Sequence, residues 1–160
     1  MSPEMFAAPL RVQLDAFVDD HREALASCLE GLTEDEARVR LVPSKTTLLG
    51  LVKHATFVER VWFDEAITCR SRAELGLAAD PDASFDLTDA DTIDSVVSDF
   101  RAACAASRAA TARMDLDDLL LGNRRGPLPL RWVLLHVLRE LAQHCGHADI
   151  LREQVLAARS

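Results

Sequence analysis

The chain has 160 residues, with 26 acidic and 18 basic side chains for a formal net charge of −8, and 49% of its residues are hydrophobic. That is enough apolar material for a packed core, and it excludes a disordered, collagen-like or disulfide-stapled chain. A negative chain with no lysine- or arginine-rich run also argues against nucleic acid and anionic membrane surfaces, whose phosphates call for a positive face.

The N-terminal MSPEMFAAPLR shows no basic region followed by an apolar one. No stretch approaches the roughly 18 uncharged apolar residues of a membrane span. The first helical period follows, with Leu14, Phe17, Val18, Leu25 and Cys28 at helical spacing and Gly31 as a stop. A short helical turn is expected in LTEDEAR, where Thr33 and Glu36 form a T-x-x-E capping box. The second long helix is predicted to begin after Pro43 with Ser44 as N-cap, with Leu48, Leu51, Ala55, Val58 and Trp62 on one stripe. Residues 76–91 mix Gly, Pro, Ser and acids and read as a long surface loop. A third helix is predicted from Thr92 to Met114, where Ile93, Val96, Val97, Phe100, Cys104 and Ser107 hold the period. After the loop LLGNRRGPLPL, a fourth is expected to start near Pro129, a residue suited to a first helical turn, and to run to about residue 157.

No segment reads as a strand. Four amphipathic helices joined by loops long enough for a crossover predict an all-α fold, a four-helix bundle in one domain over residues 1–160. Cys28, Cys69, Cys104 and Cys145 stand 35 to 41 residues apart with no CxxC pair. They read as buried thiols in a reducing cytoplasm rather than as a zinc knuckle or a disulfide frame.

The chemistry concentrates on the last helix, in HVLRELAQHCGH. His136, Glu140, His144 and His147 follow one another at offsets of four, four and three, which places them on one stripe. Side chains four apart can share one ion at about 2.0–2.2 Å, but one helix does not close a coordination sphere. His54, bordering the apolar stripe of the second helix, is the natural third ligand from a facing helix. Three protein ligands and an open position form the pattern of a catalytic metal. The plainer reading stands beside it. Histidines on apolar faces, His21 and His136 above all, are ordinarily hydrogen-bonded core residues, and Arg139 or Arg152 can neutralise Glu140.

The segments LVPSKTTLLGLVKHATFVERVWF and LPLRWVLLHVLRELAQHCGHADILRE resemble the DinB-like superfamily, in particular the branch of the Streptomyces mini-circle protein. The likeness runs from about residue 11 to 155. It implies an up-down-down-up four-helix bundle, commonly a homodimer, with a divalent metal on three side chains. The histidine of the second helix falls on His54. The pair on the last helix, which in mycothiol-dependent maleylpyruvate isomerases is a glutamate and a histidine in an R-E-x-x-x-H context, falls on Glu140 and His144. His147 stands where many relatives carry glutamine. It is read as a proton donor or acceptor, with His21 as the other candidate, or as an alternate ligand.

The resemblance implies a metal-dependent S-transferase or isomerase that joins a low-molecular-weight thiol such as mycothiol to a small electrophile. The cofactor would be a divalent ion, zinc, nickel, manganese or iron, since N/O donor sets accept all four. Two rival readings are a non-catalytic metal-binding stress-associated or ligand-binding protein and a metal-assisted hydrolase.

Overall fold

The structure, a computed structural model, describes residues 3–159. A 3₁₀ turn at Pro3–Ala7 leads into α1, Leu10–Ser27. Leu14, Val18, Leu25 and Ala26 turn to the interior, whereas Phe17 is 40% exposed. Phe17 sits about 60° around the helix from Leu14, on the flank of the stripe rather than its centre. Gly31 takes a φ of +71° where the chain leaves α1. The short α2, Glu34–Arg38, carries the capping box read from the sequence: Thr33 accepts from the Glu36 N–H and Glu36 accepts from the Thr33 N–H.

The second rod starts at α3, Leu48–Glu59, and its cap is Thr47, whose hydroxyl accepts from the Gly50 N–H at 3.0 Å. Ser44, the expected cap, instead bonds the Thr46 hydroxyl two residues on. The rod continues as a π-helical segment, Arg60–Glu65, and ends in α4, Ala66–Thr68. Cys69 closes it in the left-handed region at φ 58°.

The segment expected to be a long surface loop holds a 3₁₀ turn, Ala83–Phe85, that packs onto α3. Gly50 leaves a close fit there. A Cβ there would lie 3.0 Å from Thr47 Oγ1 and 3.4 Å from the Phe85 carbonyl oxygen. α5, Ile93–Thr111, stops three residues short of the expected Met114 and buries Val96, Phe100, Cys104 and Ser107.

One expectation is corrected here. Leu119–Leu120 (β1) and Leu128–Pro129 (β2) pair antiparallel, Leu119 facing Pro129 and Leu120 facing Leu128. Two residues per strand are too few for alternation to show in a sequence. The hairpin prepares α6, Leu130–Ala157, by presenting the carbonyls of Asp118 and Leu116 to the Leu130 and Arg131 N–H groups at 2.9 Å each. Pro129 is therefore the N-cap and the helix begins at Leu130, next to the expected start.

The four long segments pack around a shared apolar core, α1 chiefly on α6 and α3 on both α5 and α6. The all-α expectation holds. Within the core, fully buried Glu59 receives a two-pronged guanidinium from Arg22 at 2.7 and 2.9 Å, tying α3 to α1. Of the thiols, Cys28 and Cys104 are buried and Cys145 is half-buried, but Cys69 is exposed because it caps the end of the rod. Burial raises Cys28 and Cys104 to about 12 and Cys145 to about 11, so all three stay protonated at neutral pH. Among the described residues no helix is long and apolar enough to cross a membrane.

Candidate metal centre

His54, Glu140 and His144 converge where α3 faces α6. One ligand atom from each lies within 4.8 Å of the other two, and among the described residues no other trio of such groups comes together. Two atoms each about 2.1 Å from one ion stand at most about 4.2 Å apart, so small side-chain rotations close the set. Glu140 Oε2 lies 3.8 Å from His144 Nε2 one turn along α6, and the rings of His54 and His144 meet edge-on at 4.8 Å.

The surroundings fix His54 for ligation. Its Nδ1 lies 2.6 Å from Ser84 Oγ, and the Ser84 hydroxyl donates its one proton to the Pro81 carbonyl at 2.6 Å. The Ser84 oxygen must therefore accept from His54, which puts the proton on Nδ1 and leaves a lone pair on Nε2. This is the outer support that metal-binding histidines ordinarily have. Phe85 stacks on the same ring at 4.2 Å.

His144 has no such partner. Both of its ring nitrogens are buried without a hydrogen bond. Buried polar atoms left unpaired cost stability, so a ring with two of them next to a carboxylate and another histidine fits a bound cation. Both histidines are also in the neutral form that ligates. Burial pushes His54 down to about 4, with nearby His144 adding to the effect, and burial lowers His144 against the pull of Glu140. An N₂O donor set with one histidine oriented from behind suits a divalent ion.

A cavity of about 320 Å³ opens beside this trio, reaching His54 and Glu140 and walled by Trp62, His136 and Arg139. His136 packs against both tryptophans, 4.0 Å from Trp62 and parallel to Trp132 at 5.0 Å. Its Nδ1 accepts from Arg139 Nη2 at 2.9 Å, so its proton is on Nε2, 3.8 Å from Glu140 Oε1. Arg139 also donates to Glu140 Oε1 at 3.2 Å and is the partner expected for that carboxylate; Arg152 instead binds the carbonyls of Cys28 and Glu30. A larger groove of about 520 Å³ between the π-helical segment and α5 is floored by Ala102, Ala103, Ala106 and Ala110, away from these groups.

Comparison with protein families matches residues 13–157 to the description "Mycothiol-S-transferase". The chain belongs to the mycothiol-S-transferase family. The DinB-like resemblance read from the two helical segments is thereby shown. Among solved structures, a conserved protein from Enterococcus faecalis shares the fold of this mycothiol-S-transferase family member. The TM-score is 0.68 at 15% identity, over 94% of this chain and 99% of the other. Comparison with curated proteins found no match.

The remaining histidines lie apart from the trio. His147 is exposed one turn beyond His144, its ring centroid 5.8 Å from that ring, and it does not line the cavity. His21 Nδ1 donates to the Phe17 carbonyl at 2.7 Å on α1. The sequence reading missed Ser84 and Phe85. The one signal for them was an aromatic residue within an otherwise acidic and small-residue loop.

Proposed function

We propose that the protein is a divalent-metal-dependent thiol S-transferase that joins a low-molecular-weight thiol, mycothiol being the one its family name gives, to a small electrophile. The observation that carries this reading is the His144 ring, buried and unpartnered on both nitrogens, facing Glu140 and His54. Membership of the family supports the choice of thiol chemistry.

A divalent ion on His54, Glu140 and His144 would hold the thiol as thiolate, the nucleophilic form, at neutral pH. The chain's own residues do the rest. Ser84 and Phe85 hold the His54 ring, Arg139 donates to the Glu140 carboxylate until the ion takes it over, and the cavity walled by Trp62 and His136 takes the electrophile. The sulfur forms the bond to the electrophilic carbon, the leaving group departs with the bonding pair, and His147 relays the thiol proton to solvent. In an isomerisation, the same thiol adds and is then expelled.

Two features support an enzyme over a non-catalytic metal protein: the trio holds three ligands with His147 outside it, and a cavity adjoins it. The reading places the protein in the reducing cytoplasm. It also includes a homodimer, which the family resemblance implies.

The test is elemental analysis of tag-free protein alongside His54→Ala and His144→Ala, followed by electrophile assays with and without mycothiol. The expected result is about one divalent ion per chain, lost in both variants, and turnover only with the thiol. Metal-bound protein that turns over an ester without any thiol would replace transfer by hydrolysis.

A further inference from the structure

The chain carries a net charge of −8, yet the wall of the cavity beside the metal trio is basic. Arg72, Arg124, Arg125 and Arg139 line it, against the two acids Glu65 and Glu140. Arg72 is engaged by Glu65 at 2.9 Å, and Arg124 approaches the other Glu65 oxygen at 4.0 Å. Arg125 has no acidic partner among the described residues and lies over the face of Trp132, 5.9 Å from the ring centre. Arg139 leans on Glu140, the carboxylate that a bound cation would take over.

The fold places these charges at the cavity. Gly122 packs so closely against the end of the π-helical segment that a Cβ would run into the Glu65 carbonyl, and its N–H donates to the Ala66 carbonyl at 2.8 Å. That contact docks the loop carrying Asn123, Arg124 and Arg125 beside the cavity, facing the first turns of α6. Positive groups that are half or more exposed to solvent are ordinary on a surface. Several arginines turned to one aromatic-walled cavity, in an acidic chain, mark a site for an anion, because a guanidinium pairs with a carboxylate through two parallel N–H donors.

We propose that this cavity is a carboxylate subsite, in which Arg125 and Arg139 bind the acid group of a small planar electrophile lying against Trp62. The inference rests on the S-transferase reading for the word electrophile, but the binding site itself does not depend on it. The volume, at the small end of ligand cavities, suits a compact organic acid. The acid group anchored at the arginines would leave the rest of the molecule to extend toward His54 and Glu140.

The chain has two tryptophans, Trp62 and Trp132, 5.7 Å apart beside this cavity, so intrinsic fluorescence reports its occupancy. The experiment titrates zinc-loaded and metal-free protein with 4-nitrobenzoate, a quenching planar acid, and with its neutral analogue 4-nitrobenzamide. Glutathione, a thiol that carries carboxylates, is titrated alongside, and metal content is measured on the same samples.

The expected result is saturable quenching by the acid at least about tenfold tighter than by the amide, the scale of one or two charge-assisted hydrogen bonds. Arg125→Gln and Arg139→Gln should each erase most of that preference while leaving the amide unchanged, and Arg125→Lys should restore part of it. Equal affinity for acid and amide, no quenching by either, or arginine variants indistinguishable from the parent would overturn the proposal. Variants that weaken glutathione but not 4-nitrobenzoate would move the carboxylate from the electrophile to the thiol and overturn it as well. Protein that binds no metal but still prefers the acid would sink the transferase reading and leave the subsite standing. Protein that binds metal without that preference would do the reverse.

Discussion

Ser84 Oγ sits 2.6 Å from His54 Nδ1 and 2.6 Å from the Pro81 carbonyl, so a serine on a connecting loop decides which face of a helix-borne histidine is free to ligate. Removing it frees the ring to rotate and to change tautomer without removing a ligand. Ser84→Ala is expected to weaken zinc binding about 10- to 100-fold, the usual effect of losing an outer hydrogen bond to a ligand histidine. Competition titration against a chelator of known affinity measures it, and an unchanged affinity would show that the loop does not orient His54.

The orphaned ring of His144 makes a prediction of opposite sign for stability. Two buried, unpaired nitrogens destabilise the metal-free protein. Replacing the ring by an apolar side chain of similar size removes that penalty. His144→Leu is expected to abolish metal binding and to stabilise the metal-free chain by about 1–3 kcal/mol. Urea denaturation of both proteins in chelator checks this. Destabilisation instead would show that the ring has partners in solution.

The same neighbourhood sets a pH dependence. His54 stays neutral in the folded metal-free protein until about pH 4, below its ordinary value of 6.5, chiefly through burial. Between those values the unfolded chain binds a proton that the folded chain does not, so folding stability rises with pH across the window. Metal-free protein should therefore lose stability steadily from about pH 6.5 down to pH 4, and His54→Leu should flatten that slope. Denaturation midpoints at pH 7.0, 5.5 and 4.5 give the comparison.

Away from the site, the Arg22–Glu59 pair is a stability element, with the carboxylate fully buried. Glu59→Ala leaves a buried guanidinium short of its main counter-charge and is expected to cost about 3–5 kcal/mol. The double variant Arg22→Met, Glu59→Leu should recover most of that loss, since well-packed apolar groups replace buried pairs at little cost. Thermal unfolding of the three proteins decides it. Metal uptake by the double variant should match the parent.

The helices were legible because their apolar periods are long; spacing showed the stripe of His136, Glu140, His144 and His147 and the facing His54, and the family resemblance selected Glu140 and His144 from that stripe. What escaped the sequence depends on contacts between distant segments. Ser84 reaches His54 across 30 positions, and nothing local to residues 76–91 shows that Gly50 leaves room for that loop to close. Thr47 supplanted Ser44 as the cap because either hydroxyl is chemically adequate and tertiary packing chose between them. The two-residue strands and the exposure of Cys69 fall below what periodicity resolves.

The π-helical segment Arg60–Glu65 carries one residue more than a regular helical ladder would need in the same space. Chain length at this point is thus as much a determinant as side-chain chemistry. Deleting a single residue there would let the rod close into an ordinary α-helix with both flanks kept in place, and only the side chains within the segment would be re-aimed. The Ala66 carbonyl would still meet the Gly122 N–H, whereas the Trp62 ring would no longer be held against His136 at the cavity wall. A metal centre intact in composition would then stand beside a cavity with its aromatic wall displaced.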